Sequence, residues 1–192
     1  EAQGREADIP DGEYDAQTDC TWPASSDDMQ SVASLLIERW GQEEQSSEYV
    51  NGDLRIDLST VEGRAHFLVF ATLLAAKVRE PVAVHTFQIL RDEGLLSVER
   101  LSAACPYDQE QMLAILRSEY RAVVNKASKR DAIYANQQLL NREWAGDLNN
   151  LYMRHRGDDA ALLAALQSFS HLKRRALWLV REMKVRGLWP DV

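Results

Sequence analysis

The sequence predicts an all-α fold, a helical bundle. Apolar residues recur at the three-and-four spacing of a helix along most of the chain, and the segments so marked open on Ser, Asp or Pro and close on Gly. Only one stretch, residues 49–58, alternates in the manner of a strand. The 192 residues include 9 Gly and 5 Pro, few enough to leave long helices unbroken. A chain of this length supports one well-buried core. Residues 1–21 are rich in Asp, Glu and Gly and hold almost no large apolar side chain, so they are expected to form a disordered acidic tail ahead of a single helical domain over residues 22–192.

The first helix is expected to start at Ser25-Ser26-Asp27-Asp28 and to carry Met29, Val32, Leu35, Leu36 and Trp40 on one face until Gly41. After a polar stretch, Tyr49 to Leu58 reads as a short hairpin or extended loop around Asn51-Gly52. From Thr60 the helical pattern resumes, and Ala65 to Val78 is apolar almost all round, which marks a helix buried inside the bundle. Pro81 can open the next helix, with Val84, Phe87, Ile89 and Leu90 inward and Gly94 as its stop. Shorter helices follow over Ser97–Ala104 and, after Asp108, over Gln109–Leu116. A long amphipathic helix runs from Lys126 to Leu140, and another from Trp144 to Arg154 before Gly157. Asp158 is expected to cap Ala160–Phe169, and the last helix to span Lys173–Arg186 before Gly187 and Pro190.

The formal net charge is -8, which opposes binding to nucleic acid if the charge is spread evenly. It is not: residues 1–113 hold 8 Lys and Arg against 22 Asp and Glu, whereas residues 114–192 hold 14 against 8. The second half therefore supplies either one cationic face or an ordinary solvated helical surface. No apolar run approaches the roughly 20 residues that span a bilayer, so no membrane association is expected. Cys20 and Cys105 are the only cysteines, and their spacing suggests neither a metal site nor a disulfide framework. His66, His85, His155 and His171 likewise share no metal-ligand spacing. Metals and cofactors are not expected. The chain opens without a basic, apolar signal, and the expected location is nucleus or cytoplasm.

Two stretches carry a resemblance. His66 to Lys77 (HFLVFATLLAAK) is a buried helix opening the span, and Glu119-Tyr120-Arg121 with Asn125-Lys126-Ala127 forms an aromatic turn. Farther on, Ala160–Phe169, the tight turn Ser170-His171-Leu172-Lys173-Arg174-Arg175-Ala176 and Leu177–Met183 form a helix pair. In this order they resemble the helix-hairpin-helix GPD superfamily of DNA glycosylases, endonuclease III among them, over about Arg64 to Val192. The resemblance implies a base-excision fold that binds duplex DNA carrying a damaged or modified base. In that family two glycines of the hairpin let backbone N–H groups approach a phosphate; here the resemblance puts Ser170 and Leu172 in their places. Close approach is sterically harder without glycine, and Ser170, His171, Lys173, Arg174 and Arg175 become the expected DNA-binding residues, gripping phosphate by charge.

The family's bifunctional members use a hairpin lysine as amine nucleophile. The resemblance puts Arg174 there, and an arginine stays protonated, so only monofunctional N-glycosidic hydrolysis is implied. Its carboxylate would be Asp191, which follows Arg174 by 17 residues. Lys77 matches the residue that reaches into the space left by a flipped base, with Arg79 placed to meet backbone phosphate. Plainer readings stand beside these. Lys77 and Arg79 also suit the C-terminal end of a buried helix, where cations are favoured. Asp191 also reads as a solvated chain end, Tyr120 and Trp144 either as rings that stack on a base or as core aromatics, and the basic turn as a simple helix connection. The alternative function is thus a catalytically inactive helical module of the same fold that contacts protein or DNA.

Overall fold

A computed structural model describes residues 30–32, 34, 54–75, 78–120 and 125–192. The expected acidic tail, most of the expected first helix and Lys77 lie outside the described residues; residues 30–32 and 34 are helical. The described residues are all-α, with no strand among them. Eight helices follow: α1 (Val61–Leu74), α2 (Glu80–Asp92), α3 (Val98–Ala103), α4 (Pro106–Glu119), α5 (Lys126–Trp144), α6 (Leu148–Arg154), α7 (Asp159–Gln167) and α8 (Ala176–Val185). None of the described helices is long and apolar enough to cross a membrane.

Helix α1 is the central element, packed against α2, α5 and α6. Thr60 caps it by accepting the Gly63 N–H at 3.0 Å, and Phe67, Phe70, Ala71 and Leu73 are fully buried. Burial on every side accounts for its nearly uniform apolar sequence. The helix stops at Leu74, four residues short of the expected Val78, because Ala75 adopts extended backbone. Its single charged core residue, Arg64, makes four hydrogen bonds. Nε and one Nη bind both carboxylate oxygens of Asp147 at 2.6 and 2.8 Å, and the other Nη reaches the carbonyls of Leu58 and Ser59 at 2.9 and 2.8 Å. Asp147 in turn caps α6. Burial opposes ionisation of that carboxyl, yet the Arg64 guanidinium and the Asn149 N–H hold its pKa below the ordinary value.

Upstream of α1, Leu54, Ile56 and Leu58 are buried while Arg55 and Asp57 are exposed. The alternation of burial over 54–58 belongs to an irregular segment laid on the core, in which Arg55 takes a left-handed φ of 52°, and the expected turn at Asn51-Gly52 lies outside the described residues. This segment crosses α1 where there is room for hydrogen only: a Cβ on Gly63 would lie 1.8 Å from the Asp57 carbonyl oxygen and 2.9 Å from Thr60 Oγ1. Gly63→Ala is therefore expected to displace the 57–60 turn and the Thr60 cap and to cost about 2 kcal/mol, as overpacking against backbone does. Urea denaturation read by circular dichroism checks this, and an unchanged midpoint contradicts the close approach.

Element boundaries differ from expectation where a local signal was outweighed. Helix α4 begins at Pro106 rather than after Asp108, since proline at the first turn forfeits no hydrogen bond. Helix α5 continues through Trp144, and α6 starts only at Leu148, because Ala145 and Gly146 take positive φ between them. In α2, Phe87 and Leu90 are buried as expected, but Ala83 and Thr86 join them, while Val84 and Ile89 are half-buried. Tyr120 and Trp144 are core aromatics. Asp158 caps α7 through the Ala161 N–H at 2.9 Å, as its position suggested.

Candidate functional site

Helices α7 and α8 pack together and are joined by residues 168–175. Two apolar anchors, Phe169 and Leu172, are buried beneath this connection, while Ser170, His171, Lys173 and Arg174 stay on its surface. Between the anchors the chain reverses at His171, the residue in left-handed conformation with φ 65°. Such backbone is usually glycine's, and a non-β-branched residue occupies it at a modest cost. Leu172 O then accepts N–H groups from Arg175 at 2.7 Å and Ala176 at 2.8 Å, which starts α8.

This register corrects the expectation drawn from the resemblance. Leu172 is wholly buried and faces no ligand; the left-handed position is His171. Lys173, Arg174 and Arg175 also lie in the turn ahead of α8 instead of inside its first turn, because the helix begins at Ala176.

The turn is fastened to α5 rather than hanging free. Asn136, buried in α5, accepts the Ser170 N–H at 2.7 Å and donates its amide to Ser170 O at 3.0 Å, so one side chain satisfies both backbone groups of the turn residue. The same amide donates to Thr72 Oγ1 in α1 at 3.0 Å. His171 Nε2 lies 3.2 Å from Ser128 Oγ, and Arg175 reaches Leu74 O at 3.5 Å. Beneath this seam Lys129 is fully buried, and its Nζ donates to the carbonyls of Thr72, Leu73 and Ala75, each at 2.8 Å. One ammonium thus gives a short bond to each of three carbonyls at the end of α1, of which Thr72 O and Leu73 O accept only long bonds otherwise, from the Ala75 N–H at 3.3 Å and the Tyr120 hydroxyl at 3.4 Å. Burial, with Arg175 adding repulsion, brings its pKa down to about 8. Burial and the charge of Lys129 likewise lower the pKa of His171.

The turn, the end of α1 and one face of α5 enclose a surface cleft of about 1210 Å³. Lys173, Arg174 and Arg175 stand on one side, and Ser128, Asp131, Ala132 and Ala135 of α5 face them. None of the three cations joins an ion pair among the described residues, and the backbone N–H groups of Lys173 and Arg174 find no acceptor there. Unpaired guanidinium and ammonium groups beside unpaired N–H groups at a helix start present positive charge to an anion.

Of the residues singled out in the sequence, Ser170, His171, Lys173, Arg174 and Arg175 all line this cleft. Arg79 does not; it is exposed at the N-cap of α2, where its carbonyl accepts the N–H groups of Val82 and Ala83. Nor does Asp191, whose carboxylate pairs with Arg156 and accepts the Tyr152 hydroxyl at 3.2 Å, beside the stack of Tyr152 on Trp189. The α5 wall was missed. Ser128, Asp131, Ala132 and Ala135 follow helical spacing along one face, but alanine and serine there look like any solvated stripe. Among the described residues no cluster of His, Cys, Asp and Glu could hold a metal ion.

Fold and site together define an all-helical protein with a cationic cleft built on a helix-turn-helix pair. No family model, no curated protein and no solved structure matches this chain.

Proposed function

We propose that the protein binds DNA through the turn between α7 and α8, in the manner of a helix-hairpin-helix glycosylase, with Lys173, Arg174 and Arg175 on backbone phosphate. The observation that carries this reading is the set of three cations without ion-pair partners on one rigidly clamped turn. Charge-driven contacts of this kind supply affinity without reading sequence. Monofunctional base excision is the enzymatic form of the reading. It calls on Asp191, and the pairing of Asp191 with Arg156 outside the cleft favours a second form, a module that binds without turnover.

Binding is tested with a fluorescent duplex carrying an abasic-site analogue and with the undamaged duplex, each at 50 and 200 mM salt. Affinity is expected to fall steeply with salt. Lys173→Ala and Arg174→Ala should each weaken binding roughly tenfold and lower the slope of log affinity against log salt by about 1. Salt-insensitive binding, or variants that bind like wild type, removes the turn from the interface. Preference for the abasic duplex supports the base-excision form, and equal affinity supports the plain binding module.

A further inference from the structure

Resting on that reading, we propose that the cleft takes an unpaired DNA strand in preference to a duplex. Its two walls are chemically unlike. Every cation lining it comes from the turn, whereas the α5 wall offers Asp131, Ala132 and Ala135 and contributes no cation among the described residues. Of the basic side chains in this stretch of α5, Lys126 does not line the cleft, and Lys129 and Arg130 are engaged elsewhere. Lys129 is turned into the core toward three carbonyls, and Arg130 pairs with Asp131 at 2.7 Å and with Glu110 at 3.5 Å.

A strand has one backbone and an unpaired edge of bases, which is what this asymmetry suits: phosphates along Lys173, Arg174 and Arg175, bases against the small apolar residues of α5. A duplex seated in the cleft would bring a second row of phosphates toward the α5 wall, where the one charged lining residue is Asp131 and no lining cation stands to receive them. Size points the same way. At about 1210 Å³ the cleft exceeds the roughly 300–1,000 Å³ of sites for a single small ligand, and an extended polymer segment fills such a volume. Binding of unpaired strands usually joins a cationic groove to a stacking surface. The α5 wall mixes alanines with Ser128 and Asp131 and carries no aromatic ring, so charge supplies most of the affinity and salt dependence is retained.

Anisotropy titrations of the full chain with a labelled 12-nucleotide strand, and with the same strand annealed to its complement, decide between them. The strand is expected to bind at least tenfold tighter. Ala135→Glu, at an exposed position of the cleft wall, should weaken strand binding at least tenfold while leaving the melting temperature unchanged. Asp131→Lys should narrow the difference between strand and duplex by improving duplex binding. Duplex affinity equal to or above that of the strand, or an Ala135→Glu variant that binds the strand like wild type, overturns this inference and leaves DNA binding by the turn in place. If neither form binds, both readings fall together.

Discussion

Lys129→Met is expected to lower the free energy of unfolding by about 4 kcal/mol, since one carbonyl then loses its donor and two keep only long bonds, and a buried polar group left unsatisfied costs roughly 1–3 kcal/mol. Methionine keeps the length and packing of the lysine stem, so the loss reports the ammonium and not a cavity. Without the ammonium, Thr72 O keeps only the Ala75 N–H at 3.3 Å and Leu73 O only the Tyr120 hydroxyl at 3.4 Å, while Ala75 O, where α1 ends in extended backbone, has no other donor among the described residues. The effect has a pH signature. Because the folded pKa of Lys129 is about 8 against an ordinary 10.5, the folded protein holds fewer protons than the unfolded chain between pH 8 and 10. Raising pH through that window stabilises the wild type through this group, by on the order of 2 kcal/mol, and leaves the variant without the gain. The gap between the two proteins should therefore widen from pH 7 to pH 10 in parallel urea denaturations. A constant gap would mean that burial does not depress this ammonium.

Lys129 also shows where reading the sequence stops. As the fourth residue of a basic helix start, Lys126-Ala127-Ser128-Lys129, it looks like one more solvated cation; its true partners lie more than 50 residues earlier in the chain. Local signals were legible because their causes are local. Thr60 and Asp158 cap helices by bonds to residues three positions on, and α1 declares itself by apolar residues on all sides. The basic turn was also visible, as a run of charge between two apolar segments. Its register was not, because the left-handed residue is His171 and carries none of the glycine signal by which such positions are found. Asp191 does not line the cleft, and spacing could not show this for a related reason. Spacing along the chain counts residues, while the direction in which the segment leaves α8 is set by Trp189 packing on Tyr152.

Asn136→Leu should be the second most damaging of these substitutions, costing about 3 kcal/mol, with three hydrogen bonds lost at roughly 1 kcal/mol each. Leucine keeps the branched shape of asparagine, although its methyl groups are larger than the amide atoms and add some crowding between α1 and the turn. What it removes is the tie that holds both backbone groups of Ser170 and joins them to Thr72. Stability alone would not distinguish this residue from any other buried one, so the informative comparison is Asn136→Asp. The aspartate can still accept the Ser170 N–H, but it sets a carboxylate oxygen against Ser170 O, where the amide had donated. If the tie positions Lys173, Arg174 and Arg175, both variants should weaken DNA binding even at temperatures far below their melting points. The slope against salt should nevertheless stay near that of wild type, because the cations are present but misplaced. A fall in slope matching that of Lys173→Ala would mean that the turn has left the interface altogether. Wild-type affinity in a destabilised but folded Asn136→Leu would show that phosphate is gripped by charge alone, with no contribution from the clamped backbone, and would leave His171 and Ser170 without a part in binding.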